Sequence, residues 1–467
     1  MTRTDPYLIS PDLMVDLHGT RFPLEYLYRH GLIVGQPGSG KSRLVLMPLI
    51  RAILQTTGNH PDKKAALVVI DPKNELTFYL QQLTNELGRA DDLVIFRPGT
   101  AWYNPLSSPF LTEAEIPEKI VLFANHTNRN GGGGGVNEAF WANAQKSLVG
   151  ALVTTCRAFH HDLTFPLLNQ VFEEVNSLRD AASVTDWLKG RSLPPSALQG
   201  IKEFLKLPSD STRPCVATSV SNVLYPWKAE PLRSLISPSN TLPTIDPFTI
   251  IDEGKILVIG CATAAFGVSI TPLLLALKEN LFSSLLSRDQ VEVQAGEAWR
   301  PLNQERPVFI IADEFQSYLC ADSTAGELVS LDRLRSAKAG YLAVTQNLAS
   351  IYSVLGDSSH ANRLISLFSN QWYLSNLCPY SSQQASWLMG TKTKRVVQYS
   401  QEPRMAPPLM TGHRSTGLRQ GSQKSGVVIP QVVPRVDASA LASLQTGEFW
   451  LRLANGKVVK GKAQPCA

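Results

Sequence analysis

At 467 residues the chain is long enough for two or three domains and a large core. Its 44 lysines and arginines against 39 acids leave a net charge of +5, too small a surplus to argue by itself for a nucleic-acid partner. No apolar run reaches the roughly 18 residues that a membrane span needs, and the opening MTRTDPYLISPDLMVD does not read as a secretory signal. Six cysteines (Cys156, Cys215, Cys261, Cys320, Cys378, Cys466) occur without C-x-x-C pairs, which argues against zinc and a disulfide framework and for buried, reduced thiols in a cytosolic protein.

The first informative element is GLIVGQPGSGKS, residues 31–42, which carries the phosphate-loop pattern G-x-x-x-x-G-K-S. An apolar run, Gly31 to Val34, precedes it and a helix-like stretch, Arg43 to Leu54, follows, the strand-loop-helix setting that such a loop requires. Gly35, Gly38 and Gly40 let backbone N–H groups turn inward around phosphate oxygens at a helix N-terminus, with Gln36, Pro37, Ser39 and Arg43 completing the binding segment. Lys41 offers a point charge to the β- and γ-phosphates and Ser42 a hydroxyl to magnesium. The chain is therefore expected to bind a nucleoside triphosphate, with ATP and Mg2+ as cofactors.

Further short apolar runs follow at 66–71 (ALVVID), 93–96 (LVIF), 256–260 (ILVIG), 307–313 (PVFIIAD) and 341–345 (YLAVT). Separated by amphipathic stretches, they predict an α/β fold with a buried, mainly parallel sheet covered on both faces, ligands gathering at the strands' carboxyl ends. Between 112 and 240 that rhythm stops. Helical spacing at 138–159, 165–178 and 196–206, with a further start over Val216–Leu224, predicts an all-helical insertion. Just before its first firm helix stand Gly131–Gly135, either a plain flexible loop or a mobile loop facing a substrate channel.

VFIIADEF, residues 308–315, supplies the carboxylates that hydrolysis needs: Asp313 to hold magnesium and Glu314 to poise the attacking water. Asp71 is a rival for the magnesium role. Gln346, closing the next strand after Thr345, is placed to sense the γ-phosphate or its water. Arg333 and Arg335 lie between the acidic pair and this glutamine, where either is a helix-surface residue or an arginine offered to a neighbouring subunit's phosphates. The stretch 391–435 is rich in Gly, Ser, Pro and Gln and holds eight basic residues (Lys392, Lys394, Arg395, Arg404, Arg414, Arg419, Lys424, Arg435) against Glu402, a surplus of +7. It is expected to be disordered when unbound, and is either a solvated basic loop or a surface for a polyanion. Phe449–Leu453 and Lys457–Lys460 read as a terminal hairpin around Asn455–Gly456.

In order along the chain, HGLIVGQPGSGKS (30–42), VVIDPKNEL (68–76), YNPL (103–106), FWANAQKSL (140–148), DEF (313–315), TQNLASIYSVLG (345–356) and VVPRVDASALASLQTGEFWLRLANGK (432–457) resemble one family. It is the coupling-protein ATPases of conjugation and type IV secretion, the TraG/TraD type within the HerA/FtsK group of RecA-like motors. The resemblance implies a RecA-like P-loop NTPase with an inserted all-α domain, assembling as a hexameric ring around DNA. It divides the chain into 1–111 and 246–390 (motor), 112–245 (all-α), 391–435 (basic, flexible) and 436–467 (closing strands). Lys41 and Ser42 match its Walker A positions, Asp313 and Glu314 its Walker B pair, Gln346 its sensor, and Arg335 the spacing of a trans-acting arginine finger. Implied partners are single-stranded DNA without sequence preference, a relaxase or DNA-processing factor at the all-α domain, and a secretion channel or membrane tether. The place of action is the cytoplasm or the periphery of the inner membrane.

Two departures stand out: the family's N-terminal transmembrane helices have no counterpart here, and Asn74 replaces the glycine usual after Lys73. The leading expectation is an ATP-driven coupling protein and DNA translocase. The alternatives are an ATP-dependent recruitment platform that pumps no DNA, and a soluble HerA/FtsK-like motor of a mobile-element or defence system.

Overall fold

In the computed structural model, residues 13–108, 111–125, 136–260, 266–295, 298–320, 322, 325–376, 378–400 and 425–463 are described. A small hairpin, β1 (Met14–Leu17) and β2 (Thr20–Pro23), leads into β3 (Gly31–Val34), β4 (Ala66–Ile70), β5 (Leu93–Phe96) and β6 (Ile256–Ile259). A second hairpin, β7 (Glu292–Ala295) and β8 (Ala298–Pro301), precedes β9 (Val308–Ala312) and β10 (Ala339–Thr345). Every residue of β3, β4, β6, β9 and β10 is buried, as expected of parallel strands covered on both faces. Alternate side chains feed two cores. Leu32, Val68, Ile70 and Ile310 face one, while Ile33, Val69, Phe309 and Ile311 face the other.

Further along lie β11 (Asn370–Tyr373), the pair β12 (Thr391–Ser400) and β13 (Ser425–Pro434), and the terminal hairpin β14 (Glu448–Arg452) and β15 (Val458–Lys462). Among the described residues the main sheet has nine strands in the order β15-β14-β11-β3-β10-β9-β4-β6-β5. From β11 to β5 all neighbours run parallel, and only the pairings β11–β14 and β14–β15 are antiparallel. The strand β11, unmarked in the sequence pattern, lies directly beside the phosphate-loop strand β3.

Helices α1 (Met47–Thr57) and α2 (Glu75–Glu86) cover one face, burying Leu49, Ile53, Leu76, Leu80 and Leu83 against it. Between β5 and β6 come α3 (Glu115–Asn125), α4 (Val136–His160), α5 (Phe165–Ser177), α6 (Ala181–Trp187), α7 (Pro195–Lys206), α8 (Thr212–Leu224) and α9 (Leu232–Ile236), packed on the other core. YNPL stands at their root: Asn280, on the helix Thr271–Leu286, donates to the Tyr103 hydroxyl at 2.5 Å and Pro105 O at 2.9 Å. Asn104 donates to Leu163 O at 2.9 Å. The five glycines 131–135 lie outside the described residues. No helix among the described residues is long and apolar enough to cross a membrane.

Two expectations need correction. Residues 391–400 and 425–434 are not irregular: β12 and β13 pair through ten residues each, because Val396, Val397, Val428, Ile429, Val432 and Val433 supply the β-branched pattern of a ribbon. Arg404, Arg414, Arg419 and Lys424 lie outside the described residues. The thiols are not uniformly buried either. Cys156 and Cys320 are, whereas Cys215 is exposed and Cys378 half-buried.

Candidate functional site at the carboxyl edge of the sheet

The loop after β3 is shaped by its neighbours as much as by its own glycines. Gly35 N donates to Thr345 O at 3.3 Å and Gln36 N to Ser375 O at 2.9 Å, so the ends of β10 and β11 grip the loop from both sides. A Cβ at Gly35 would lie 2.6 Å from Ser39 Oγ, and Gly40 has φ +95° with Leu44 filling the space where its Cβ would go. After Gly40 the first helical turn, Lys41–Leu46, is wound wide: Met47 N donates to Ser42 O, five residues back. This turn presents Lys41 and Ser42 to a cleft of about 910 Å3 between the loop, α1 and α2, also lined by Arg43, Lys73, Glu75 and Tyr79. The Lys41 ammonium rests on Gln36 O at 3.3 Å, and burial followed by the nearby Lys73 charge outweighs Glu314 and Asp313 to hold its pKa below the usual lysine value. Ser39 Oγ is buried without a protein partner. A cradle of inward glycine backbone, a desolvated lysine and an orphaned hydroxyl fits a phosphate chain.

Two strands along the sheet from the loop's β3, β9 is followed by Asp313 and Glu314, both buried. Burial raises the Asp313 carboxyl to about 6, with the Lys73 charge opposing and Glu314 and Asp71 adding to the rise. Glu314 takes φ +49°, ψ +41°, a left-handed conformation that costs a residue with a Cβ on the order of 1 kcal/mol and is held here by surrounding bonds. Its N–H donates to Asp313 Oδ1 at 3.0 Å, Ser317 N donates to its carbonyl at 2.9 Å, and the Tyr318 hydroxyl donates to Asp313 O at 2.7 Å. Burial alone would raise the Glu314 carboxyl, but bonds from Lys73 (2.5 Å), Gln316 (2.6 Å) and Gln346 (3.2 and 3.3 Å) hold it below the usual range.

Lys41, Asp313, Glu314 and Gln346 thus meet at one rim, through the ends of β3, β9 and β10. Asp71, the rival carboxylate, is half engaged: its Oδ2 accepts from Thr77 N and Thr77 Oγ1, both at 2.8 Å, which pins the start of α2, while its Oδ1 is buried without a hydrogen-bond partner. The glycine-to-asparagine departure is accommodated, since Asn74 sits at φ +60°, a region asparagine tolerates. Arg333 and Arg335 are exposed at the end of the helix Glu327–Leu334, at the start of β10 and so at the opposite edge of the sheet from Thr345. Within one chain Arg335 does not reach this rim. Lys73, Gln316, Ser375 and Asn376, whose side-chain amide donates to Gln346 O at 3.0 Å, belong to the rim although sequence motifs assign them no role.

No family model and no curated protein matches the chain. Solved structures do. The unbound bacterial conjugative coupling protein TrwBdeltaN70 superposes with a TM-score of 0.66 at 16% identity, over 98% of this chain and 90% of that one. The plasmid coupling protein TrwB in complex with ADP and Mg2+ gives 0.62 at 16%, over 98% and 91%. VirB4 of Thermoanaerobacter pseudethanolicus gives 0.52 at 12%, over 98% of both. The fold is the RecA-like P-loop NTPase fold of these proteins.

Proposed function

We propose that the chain is an ATP-hydrolysing coupling protein of conjugation or type IV secretion, which recruits a DNA–protein substrate and drives DNA toward a secretion channel. The observation that carries the reading is the meeting of Lys41 with Asp313, Glu314 and Gln346 at one sheet edge in a chain that shares the TrwB fold along almost its whole length. Structures of TrwB with ADP and Mg2+ and with non-hydrolysable ATP and GTP analogues support nucleotide and magnesium as its cofactors. Residues 35–43 would cradle the phosphates, with Ser42 and Asp313 holding magnesium. The ion, when bound, screens phosphate charge and fixes the reacting oxygens. Glu314 orients water and accepts its proton, and Gln346 positions Glu314.

The strained backbone at Glu314 favours hydrolysis over a platform role, since a scaffold that only binds ATP has no use for a rigidly posed base. Arg335, remote from the rim of its own chain, acts only if copies assemble so that it meets a neighbour's phosphates, which is the reason to propose a ring, a hexamer by analogy. The helical stretch 112–245 would dock relaxase or accessory proteins. The ribbon β12–β13 carries Lys392, Lys394 and Arg395 and no acid in its 391–400 and 425–434 strands, which suits sequence-independent grip on a DNA backbone. The test is ATP hydrolysis with and without single-stranded DNA: stimulation is expected, and Lys41→Ala or Glu314→Gln should abolish turnover. Turnover unaffected by either substitution would end this reading, and negative-stain images with ATP and DNA should show DNA-filled rings.

A further inference from the structure

The Glu314 carboxylate has no idle oxygen. Lys73 Nζ and Gln346 Nε2 bond Oε1, and Gln316 Nε2 and Gln346 Nε2 bond Oε2. A carboxylate offers about four lone-pair positions. Here three donors make four contacts with them, Gln346 Nε2 being shared between both oxygens, so a water must compete with these donors before Glu314 can accept its proton. The donors differ in how freely they can leave. Gln316 and Gln346 are short amides fixed close to their strand ends, whereas Lys73 reaches Glu314 on a four-carbon stem that is 41% exposed. The backbone beneath Lys73 is anchored by the Asp71–Thr77 bonds, so its side chain can move while the turn stays in place. Lys73 also lines the same cleft as Lys41 and Ser42.

We propose that Lys73 is a positioning residue that exchanges partners. In the nucleotide-free chain it holds the Glu314 carboxylate, and when a triphosphate occupies the cleft it transfers to the terminal phosphate and releases Glu314 to accept from water. The inference rests on the triphosphate reading above. A terminal phosphate carries more charge than one carboxylate and offers more acceptor oxygens, so it can outbid Glu314 for a charge-assisted bond. A diphosphate lacks that group and leaves the Lys73–Glu314 pair closed. Hydrolysis is thereby tied to the presence of the third phosphate, and premature use of the base is blocked.

The test is a binding cycle, measured calorimetrically with a non-hydrolysable ATP analogue and with ADP on the wild type, Lys73→Met, Glu314→Gln and the double variant. Lys73→Met should weaken the analogue about tenfold, the scale of one charge-assisted bond, and leave ADP within about twofold. Glu314→Gln should tighten the analogue several-fold when Lys73 is present and much less in the Lys73→Met background. Lys73→Arg should restore part of the discrimination, and melting curves check that each variant folds. Equal weakening of analogue and ADP, or a Glu314→Gln effect of the same size in both backgrounds, overturns the exchange while leaving triphosphate binding intact. A wild-type chain that binds neither nucleotide takes down the triphosphate reading and the exchange with it.

Discussion

Replacing Asp313 by asparagine should make the nucleotide-free protein more stable at neutral pH. Asp313 is almost wholly buried, with its Oδ1 accepting from Glu314 N at 3.0 Å. Desolvation, opposed by Lys73 and reinforced by Glu314 and Asp71, raises its pKa from 3.8 to about 6. The folded-state value exceeds the unfolded one, so between these pH values the folded chain binds the extra proton and its stability falls as pH rises. The contribution is fully present below about pH 4 and is lost as pH passes through 6. A shift of that size corresponds to about 3 kcal/mol at pH 8, of which asparagine, which cannot ionise, is relieved. For a chain of this length unfolding as one unit, about 3 kcal/mol moves the melting temperature by about 3 °C. Melting curves of both proteins between pH 4.5 and 8.5, with EDTA and without nucleotide, should differ at pH 4.5 by only about a third of the full gap and separate to a plateau above pH 6.5. A variant that melts at or below the wild type at pH 8 would refute the reasoning. So would a gap that widens toward acid.

Lys278 and Glu327, both fully buried and 2.6 Å apart, predict a large loss on breaking one side: Lys278→Met should cost about 3–5 kcal/mol, and Lys278→Met with Glu327→Gln should recover more than half of the lost melting temperature. Gly40→Ala places a Cβ 2.6 Å from Leu44 Cδ1 at φ +95°, so it should cost about 1–3 kcal/mol and weaken analogue binding more than tenfold in the same calorimetric assay. Reversing Lys392, Lys394 and Arg395 to glutamate, on an exposed ribbon, should leave the melting temperature unchanged. It should also lower the salt dependence of single-stranded DNA binding by up to about three counterions, read from the slope of log K against log salt.

What the sequence shows and hides follows from where each residue finds its partner. Strands β3, β4, β6, β9 and β10 are legible because parallel strands buried on both faces must be unbroken apolar words. Strand β11 is hidden because its first two residues, Asn370 and Gln371, are amides fully buried in the sheet. Asn370 donates to Tyr26 O at 2.5 Å and His30 O at 2.9 Å, and Gln371 donates to Phe368 O at 2.9 Å. Only tertiary structure supplies the carbonyls that Asn370 meets, so the segment looks like a polar loop. The ribbon hides for another reason: Gly, Ser, Pro and Gln are frequent through 391–435 as a whole, and that average masks the β-branched pairs at its two ends. At the site, Lys41, Asp313 and Glu314 are legible because phosphate and metal chemistry fixes residue type within short motifs. Lys73 sits inside a word that the sequence makes conspicuous, yet its partner lies 241 residues away, and no local pattern can announce that pairing.

The same distances explain why this edge of the sheet can serve as a junction. Ser39 O accepts from Gly447 N at 3.1 Å, so the phosphate loop is bonded to the ends of β10 and β11 and to the segment that returns from the ribbon. Gln346 touches Glu314 with its amide and Asn376 with its carbonyl, while Leu348 N donates to Ser381 Oγ at 3.0 Å on the helix Pro379–Leu388 that leads into β12. At the ribbon's root Arg435 N donates to Gly390 O at 2.8 Å and Ser386 Oγ to Val436 O at 2.6 Å. On the opposite side the Tyr318 hydroxyl holds Asp313 O, and Tyr318 O accepts from Lys278, on the helix whose Glu279 pairs with Lys119 of α3. Contiguity alone is a path and not a coupling. Its physical content is that a shift of Gln346 strains bonds leading toward the ribbon and a shift of the Asp313–Glu314 backbone strains bonds leading toward the helical stretch, because these groups position the base and also anchor those elements.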